Sequence, residues 1–516
     1  MLLVSACAAV TAPVASAATG AAPNPDAAGA LVRRYVDAVI AGDLAGAAAS
    51  WSPAYLAASR SLAIVYPDAP VPWDMASPLL LQLELLRAGV DSLACGVPEI
   101  QGDCAFVAVA PIAEPAAAPY RYAVVLEEGR PVLANALWAA TRGWPVRTSR
   151  YFRFLCRDPG LLAPAAVASL DTFVDATLQR FGVGESRRAH LAAAKIPYVL
   201  ADEATVADLT GYATKGMGDL AAGMIVSSHF PHYHEAAHLL VNYALEAAPL
   251  HPLPSLQEGL ASLLGGRWGQ SPAVILHMAW ANAEMGFADV GDILTRGGFQ
   301  GAAGGPNAAY PAAALLCDTI VAAAGWPAVL ELQRTLAEGP GPGRDPNAIA
   351  AAIGRACRWP SARPLAALTA ACEERRMRYR RAGVAPGGDI DAAEVGRDGG
   401  VALRRVGDDL VFTAPAADGM TALLPARSAG ADGTRSPLFA ELFPARAYAG
   451  ETAGVRCSAH SISVYDFTTN RLVGVWVGDF AGEGGGAADG PDRLRFRVRA
   501  DLLPGLADVP WVVVAP

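Results

Sequence analysis

Apolar stretches that open near a proline and close on a glycine run through the second half of the sequence: SPAVILHMAWANAEMG, YPAAALLCDTIVAAAG, WPAVLELQRTLAEG and DPNAIAAAIG. Proline lacks the N–H that a helix interior needs but suits the first helical position, and glycine takes the left-handed conformation that ends a helix. The pattern predicts a series of short helices with fixed ends. It forbids one long helix or a central strand in these stretches. SLQEGLASLLGG, from Ser255 to its closing glycines, and SARPLAALTAACEERRMRYRRAG belong to the same series, and LDTFVDATLQRFG upstream closes on Gly182. RYFRFLCRD, KIPYVLAD and AAGMIVSS read as strands among these helices. Residues 151–384 are thus predicted to be mainly helical.

The chain has 516 residues, more than one hydrophobic core serves, so two to four domains are expected. TGAAPNPDAAG reads as the end of a linker over 18–29. After it Leu31, Tyr35, Val36 and Val39 recur at helical spacing until Gly42-Asp43. Strand-like runs follow at 104–112, 120–128 and 132–140. Helices first and a small sheet afterwards predict an α+β domain over 30–150, which resembles the SnoaL-like cone. From 385 the texture changes to short alternating runs between Gly/Asp/Asn turns, such as DDLVFTAP, RLVGVWVGDF and RLRFRVRA. These predict an all-β sandwich or barrel over 385–516. The expected fold class is multidomain α+β.

MLLVSACAAVTAPVASA, residues 1–17, is an apolar run ending in Ala15-Ser16-Ala17, as at a signal cleavage site, although no Lys or Arg precedes it. Val4-Ser5-Ala6-Cys7 also resembles a lipobox, in which case a lipidated Cys7 attaches the protein to a membrane. Either reading predicts export, to the cell envelope or beyond. Of the eight cysteines, seven lie outside this segment; Cys95 with Cys104 and Cys357 with Cys372 are near enough in sequence to pair. The net charge is −9 and only Lys195 and Lys215 are lysines. The densest basic stretch, EERRMRYRR at 373–381, reads as a solvated helix end, so no nucleic-acid partner is expected.

HYHEAAHLLVN, residues 232–242, carries the chemistry. On a helix His234 and His238 project from one face, one turn apart, and both can reach one metal ion. Glu235 points about 100° away, beside the ion but not on it, where it can take a proton from a water that the metal activates. Leu239, Leu240 and Val241 make the helix apolar enough to be buried, and buried histidines and carboxylates need partners. A third ligand is expected, and Glu258 in PSLQEGLASLLGG is the candidate, separated from His238 by 19 residues and past Pro249, Pro252 and Pro254. Gly259 and Ala261 are small enough to let helices approach. Ser255 and Glu258 also fit a capping box, in which Glu258 would bond the N-cap amide instead. Asn242, one turn past His238, is a candidate partner that orients a ligand, or a polar helix end. His229 and His232 read as loop residues, His277 as a core histidine.

HExxH followed by Glu-Gly-x-Ala resembles the gluzincin metallopeptidases, the thermolysin-like clan. Over residues 150–384 the chain is similar to the bacterial "peptidase MA-like" proteins, in which a Tyr-led helix ending in glycine follows, here YPAAALLCDTIVAAAGW. The resemblance implies Zn2+ held by His234, His238 and Glu258, with Glu235 as general base and a peptide or protein as substrate. It also implies a His or Tyr oxyanion donor downstream. No histidine lies between His277 and His460, and Tyr310 and Tyr379 are the tyrosines available, so Tyr310 is the candidate. Aminopeptidases of the clan carry a glutamate in a Gly-x-Met-Glu-Asn-like strand; GMGDLAAGMIVSS has none, which favours an endopeptidase. The strand AAGMIVSS is expected to pair with extended substrate. Two rivals stand beside this reading: a non-catalytic binding or assembly module, and a zinc hydrolase of other substrates.

Overall fold

The structure, a computed structural model, describes residues 22–379 apart from 76, 78–82, 90–91, 113–119, 212–213, 285, 338–343 and 360, and beyond 383 the strands with a few neighbours. The expected targeting segment 1–17 with Cys7 lies outside the described residues. The fold mixes helix and sheet, as a multidomain α+β chain should. Two compact units make it up, Met1–Ala58 with Ala76–Trp144 and Asp208–Tyr212, and Ser59–Met75 with Pro145–Ala207 and Ala213–Pro516.

In the first unit the helix Pro25–Ala41 starts inside the expected linker, because Asn24 accepts from the amides of Asp26 and Ala27 and so caps it. The helix stops at Gly42, φ 78°, and its periodic residues Leu31, Tyr35, Val36 and Val39 are buried. The antiparallel sheet runs Leu93–Cys95, Cys104–Pro111, Tyr120–Glu127, Arg130–Asn135, with Glu99–Gln101 also on Cys104–Pro111. The run 132–140 is not one strand. Asn135 accepts from Trp138 N at 3.0 Å and caps a helix over Ala136–Thr141. Trp51 packs edge-on against Tyr35 and Tyr122, and all three are buried.

The second unit is built on a mixed sheet in the order Val146–Thr148, Phe152–Cys156, Ile196–Leu200, Met224–Ser227, Gly216–Asp219. Phe152, Phe154, Tyr198 and Ile225 form one core with Leu170, Val174 and Leu178 of the helix Pro164–Arg180 and with Tyr233, Leu240 and Tyr243 of the helix Tyr233–Leu245. Each such side chain contributes about 1.5–3 kcal/mol through burial. Residues 59–75 join this unit, with Leu62 in the same core. Met224–Ser227 is flanked on both sides, by Ile196–Leu200 and by Gly216–Asp219, so it cannot receive a substrate strand as expected. The edge strands of this sheet are Val146–Thr148 and Gly216–Asp219, and Gly216–Asp219 is the one that neighbours Met224–Ser227.

Tyr310 does not open its helix either. That helix runs Pro306–Ala324, with Pro306 in its first turn and Pro311 inside. Pro311 leaves the Asn307 carbonyl without its helical donor, and Asn282 Nδ2 donates to it instead at 2.7 Å. The stretch before this helix contains the short helix Arg296–Gln300, whose Phe299 packs with its ring centre 5.1 Å from that of Tyr310. The helix Pro306–Ala324 is long and apolar enough to cross a membrane, but it is mostly buried in the unit. Cys95, Cys104, Cys357 and Cys372 are free thiols, so neither expected pairing is formed. Beyond 383 two antiparallel sheets run in the orders Val384–Pro386, Arg493–Arg499, Asp409–Pro415, Ala402–Val406 and Arg471–Val477, Ser461–Asp466, Ala453–Cys457, Thr421–Pro425, Trp511–Val514.

Glycines set the helix approaches. A Cβ on Gly259 would meet the Ala313 carbonyl and, at 2.8 Å, Cys317 Sγ, so Gly259 serves contact with Pro306–Ala324 and not with the HExxH helix. That second contact belongs to Gly265, where a Cβ would lie 2.5 Å from the Tyr233 carbonyl and 2.6 Å from His234 N. Backbone cannot yield as a side-chain tip can. Gly265→Ala should therefore destabilise the second unit by about 1–3 kcal/mol, as overpacking does. An unchanged unfolding midpoint in thermal or denaturant melts would disprove this contact's importance.

Candidate metal centre

The helix Tyr233–Leu245 has no glycine cap; it ends at Glu246, φ 62°. Two arginines finish it instead. Arg187 Nη2 donates to the Tyr243 carbonyl at 2.6 Å and Arg334 Nη2 to the Leu245 carbonyl at 2.8 Å. Both satisfy orphan acceptors and bring positive charge to the negative helix end. At the other end Tyr233 is tied to Ser169, hydroxyl to hydroxyl, at 2.8 Å. Held this way, the helix turns His234 and His238 toward the helix Pro254–Gly265.

The capping box is not formed. Pro254 takes the first helical position, no side chain caps the helix, and Ser255 is buried inside it with its Oγ unpartnered. Glu258 is free to face the histidines. Its Oε2 lies 3.1 Å from His234 Nε2 and 3.3 Å from His238 Nε2, and the two Nε2 atoms are 3.2 Å apart. Ligands at about 2.0–2.1 Å from a tetrahedral ion are about 3.3–3.4 Å from one another. The triangle therefore has the edge length such an ion requires.

Protonation points the same way. His234 Nδ1 sits 2.8 Å from the Gly266 carbonyl, which can only accept, so Nδ1 carries a hydrogen and Nε2 is turned toward Glu258 and His238. That nitrogen and the Glu258 carboxylate face each other in a partly buried site, where the cation beside them among the described residues is Arg267, its Nη1 3.0 Å from His234 Nε2 and 3.5 Å from Glu258 Oε2. Burial alone would raise the Glu258 carboxyl; the charges and hydrogen bonds of His238 and His234 outweigh it and hold it well below the usual range. Burial likewise works against a charged His238, but Glu258 beside it, with Glu235, raises it overall. His234, His238 and Glu258 are a set that can hold a metal ion.

Glu235 is nearly buried and its Oε1 lies 3.9 Å from His232 Nε2. Neither His229 nor His232 joins the three-atom cluster. They pack together with ring centres 4.0 Å apart and planes tilted by 42° at the entry to the helix, and His232 Nδ1 is 2.9 Å from Ser227 Oγ. Burial, then the charges of His229 and His234, push His232 well below the ordinary histidine range, and burial with Lys215 takes His229 down to about 4. A Cβ on Gly216 would run into the His232 ring, so the edge strand Gly216–Asp219 passes directly beside the loop that leads to Glu235.

Tyr310 stands at the site, its ring centre 6.3 Å from that of His234. Burial first, then the charge of Glu258, pushes its hydroxyl up to about 12, so it is a donor at neutral pH. Tyr379 is elsewhere and half-buried; its hydroxyl donates to Asp318 at 2.5 Å, beside Arg375. Asn242 donates to the Tyr66 hydroxyl at 3.4 Å, its partner coming from residues 59–75. His277 is buried, with Nδ1 2.9 Å from the Tyr379 carbonyl. Two features escaped the sequence reading: the Gly266 carbonyl, and Arg267, whose Nη1 lies 3.0 Å from His234 Nε2 and 3.5 Å from Glu258 Oε2. The signal that marked them was the turn-forming GGRWGQ directly after the glutamate helix.

No family model, curated protein or solved structure matches the chain. The purified protein should carry one divalent ion per chain, and His234→Ala or His238→Ala should abolish it. Full metal content in either variant, measured by elemental analysis, would remove the assignment.

Proposed function

We propose that this protein is an exported zinc-dependent peptidase of the gluzincin type, acting as an endopeptidase. The observation that carries the reading is the triangle of His234 Nε2, His238 Nε2 and Glu258 Oε2, with edges of 3.1–3.3 Å and Glu235 on the same helix. Two imidazoles and one carboxylate are a donor set that suits zinc and leaves one position open, the pattern of catalytic sites. Export rests on the sequence of residues 1–17 alone.

Zinc, when bound, would supply Lewis acidity toward a water and a peptide carbonyl. Glu235 takes the proton from the attacking water and delivers it to the leaving nitrogen, which departs as an amine when the C–N bond breaks. The nearly buried setting of Glu235 keeps bulk water from competing for that proton. Extended substrate pairs along Gly216–Asp219, an edge strand, and this replaces the inner strand that the sequence suggested. No glutamate lies on Gly216–Asp219 or Met224–Ser227 to hold a free amino terminus, which supports cleavage within a chain. The Tyr310 hydroxyl donates to the oxygen on which negative charge develops.

Peptide-library cleavage by zinc-loaded protein tests the reading, with ester and lactam substrates alongside. Glu235→Gln should keep stoichiometric zinc and lose hydrolysis, since an amide cannot accept the proton. Unchanged turnover in that variant would show that Glu235 is not the base. A zinc-loaded wild type that cleaves nothing would favour a binding module, and one that cleaves only esters or lactams a different hydrolase. Tyr310→Phe should lower kcat by about 10²–10³ with KM nearly unchanged, the effect of losing one oxyanion donor. A kcat within about twofold of wild type, far short of that effect, would leave Tyr310 without the role.

A further inference from the structure

Arg267 follows the glutamate helix immediately, and several independent contacts aim its guanidinium at the ligand triangle. Its Nη1 is 3.0 Å from His234 Nε2 and 3.5 Å from Glu258 Oε2. Its Cζ lies 3.3 Å from the centre of the Tyr310 ring, so the flat cation is laid on the aromatic face. Its Nε is buried and has no hydrogen-bond partner, an uncommitted donor.

The backbone beneath it is fixed as well. Arg267 and Gln270 bond to each other through both amides, at 3.2 and 2.8 Å, around Trp268 and Gly269, which have φ of 51° and 71°. Positive φ at both central residues makes a tight two-residue turn, and for a tryptophan that conformation is strained. The strand Arg471–Val477 grips this turn. Leu472 N donates to the Gly269 carbonyl at 2.7 Å, Ser271 N to the Leu472 carbonyl at 2.6 Å, and Ser271 Oγ to the Val473 carbonyl at 3.3 Å.

We propose that Arg267 is a second catalytic donor to the oxyanion that forms on the substrate carbonyl, held in place by the ring of Tyr310 and by the C-terminal strand. The inference rests on the peptidase reading of the site. A guanidinium is always charged and presents its donors in a rigid fork, so it favours the transition state, where the oxygen is anionic, over the neutral ground state. Its distance from the ligand atoms selects the reacting oxygen. A terminal carboxylate of the substrate would lie one residue farther on, about 3.8 Å beyond the scissile carbon.

The test is a binding measurement, so it does not depend on turnover. Zinc-loaded wild type, Arg267→Gln and Arg267→Lys, with zinc content checked for each, are titrated calorimetrically with two compounds of one sequence taken from the library. One is a phosphonate peptide, which carries P–O⁻ where the oxyanion would stand, and the other its uncharged ketomethylene analogue. Arg267→Gln should weaken the phosphonate by about 10²-fold or more, the scale of one oxyanion donor, and change the ketomethylene compound by less than about threefold. Arg267→Lys should recover part of the loss, because it keeps the charge, and it carries the comparison alone where Arg267→Gln fails to retain zinc. Equal phosphonate affinity in wild type and variants, or equal weakening of both compounds, overturns the inference while leaving the peptidase reading intact. A zinc-loaded wild type that binds neither compound removes the peptidase reading, and the inference with it.

Discussion

The hydrogen bond from His234 Nδ1 to the Gly266 carbonyl, 2.8 Å long, decides what the rest of the site can be. It places a hydrogen on Nδ1, directs the other nitrogen at Glu258 and His238, and ties the HExxH helix to the end of the glutamate helix. The bond exists because two glycines stand in sequence. Gly265 lets the helices touch backbone to backbone. Gly266 then takes φ 70° and ψ −165°, a conformation essentially reserved for glycine, and so turns its carbonyl toward the ring. Neither glycine carries any chemistry of its own.

The site is closed by opposed charges. Glu235, Glu258 and Arg267 lie within one small region with little access to solvent. In such surroundings each charge acts more strongly than it would in water. The neutral pair His229 and His232, kept uncharged by burial, lines the approach without adding to that balance.

Much of this was legible in the sequence wherever the determinant was local. His234 and His238 are one turn apart on any helix, Pro254–Gly265 and Pro272–Glu284 fall close to their expected ranges although Gly354 lies inside Pro346–Ala356 and does not end it, and Glu258 stands on the helix that the prolines separate from the first. What was not legible depended on partners distant in the chain. The start of the Tyr310 helix turned on Asn282 satisfying a carbonyl that Pro311 orphans. The choice of Gly265 over Gly259 against the HExxH helix depended on helix rotation. The covering of Met224–Ser227 on both sides depended on sheet order, which alternation cannot reveal. Asn242 found Tyr66, 176 positions away in the sequence. A capping box and a candidate ligand glutamate share one sequence pattern, and with Pro254 at the first helical position the capping box is not formed.

The grip of Arg471–Val477 on the turn after Arg267 bears on how such a chain can change over evolutionary time. The break in sequence texture near residue 385 invites a picture of cassettes that can be exchanged or shed. Yet the polypeptide that steadies the arginine lies beyond that break, about 200 residues downstream of the side chain it steadies. A lineage that traded away its last 130 or so residues would keep His234, His238 and Glu258 and lose the tether on the guanidinium. The two stretches are therefore joined by hydrogen bonds that any exchange on either side of the break would have to reproduce.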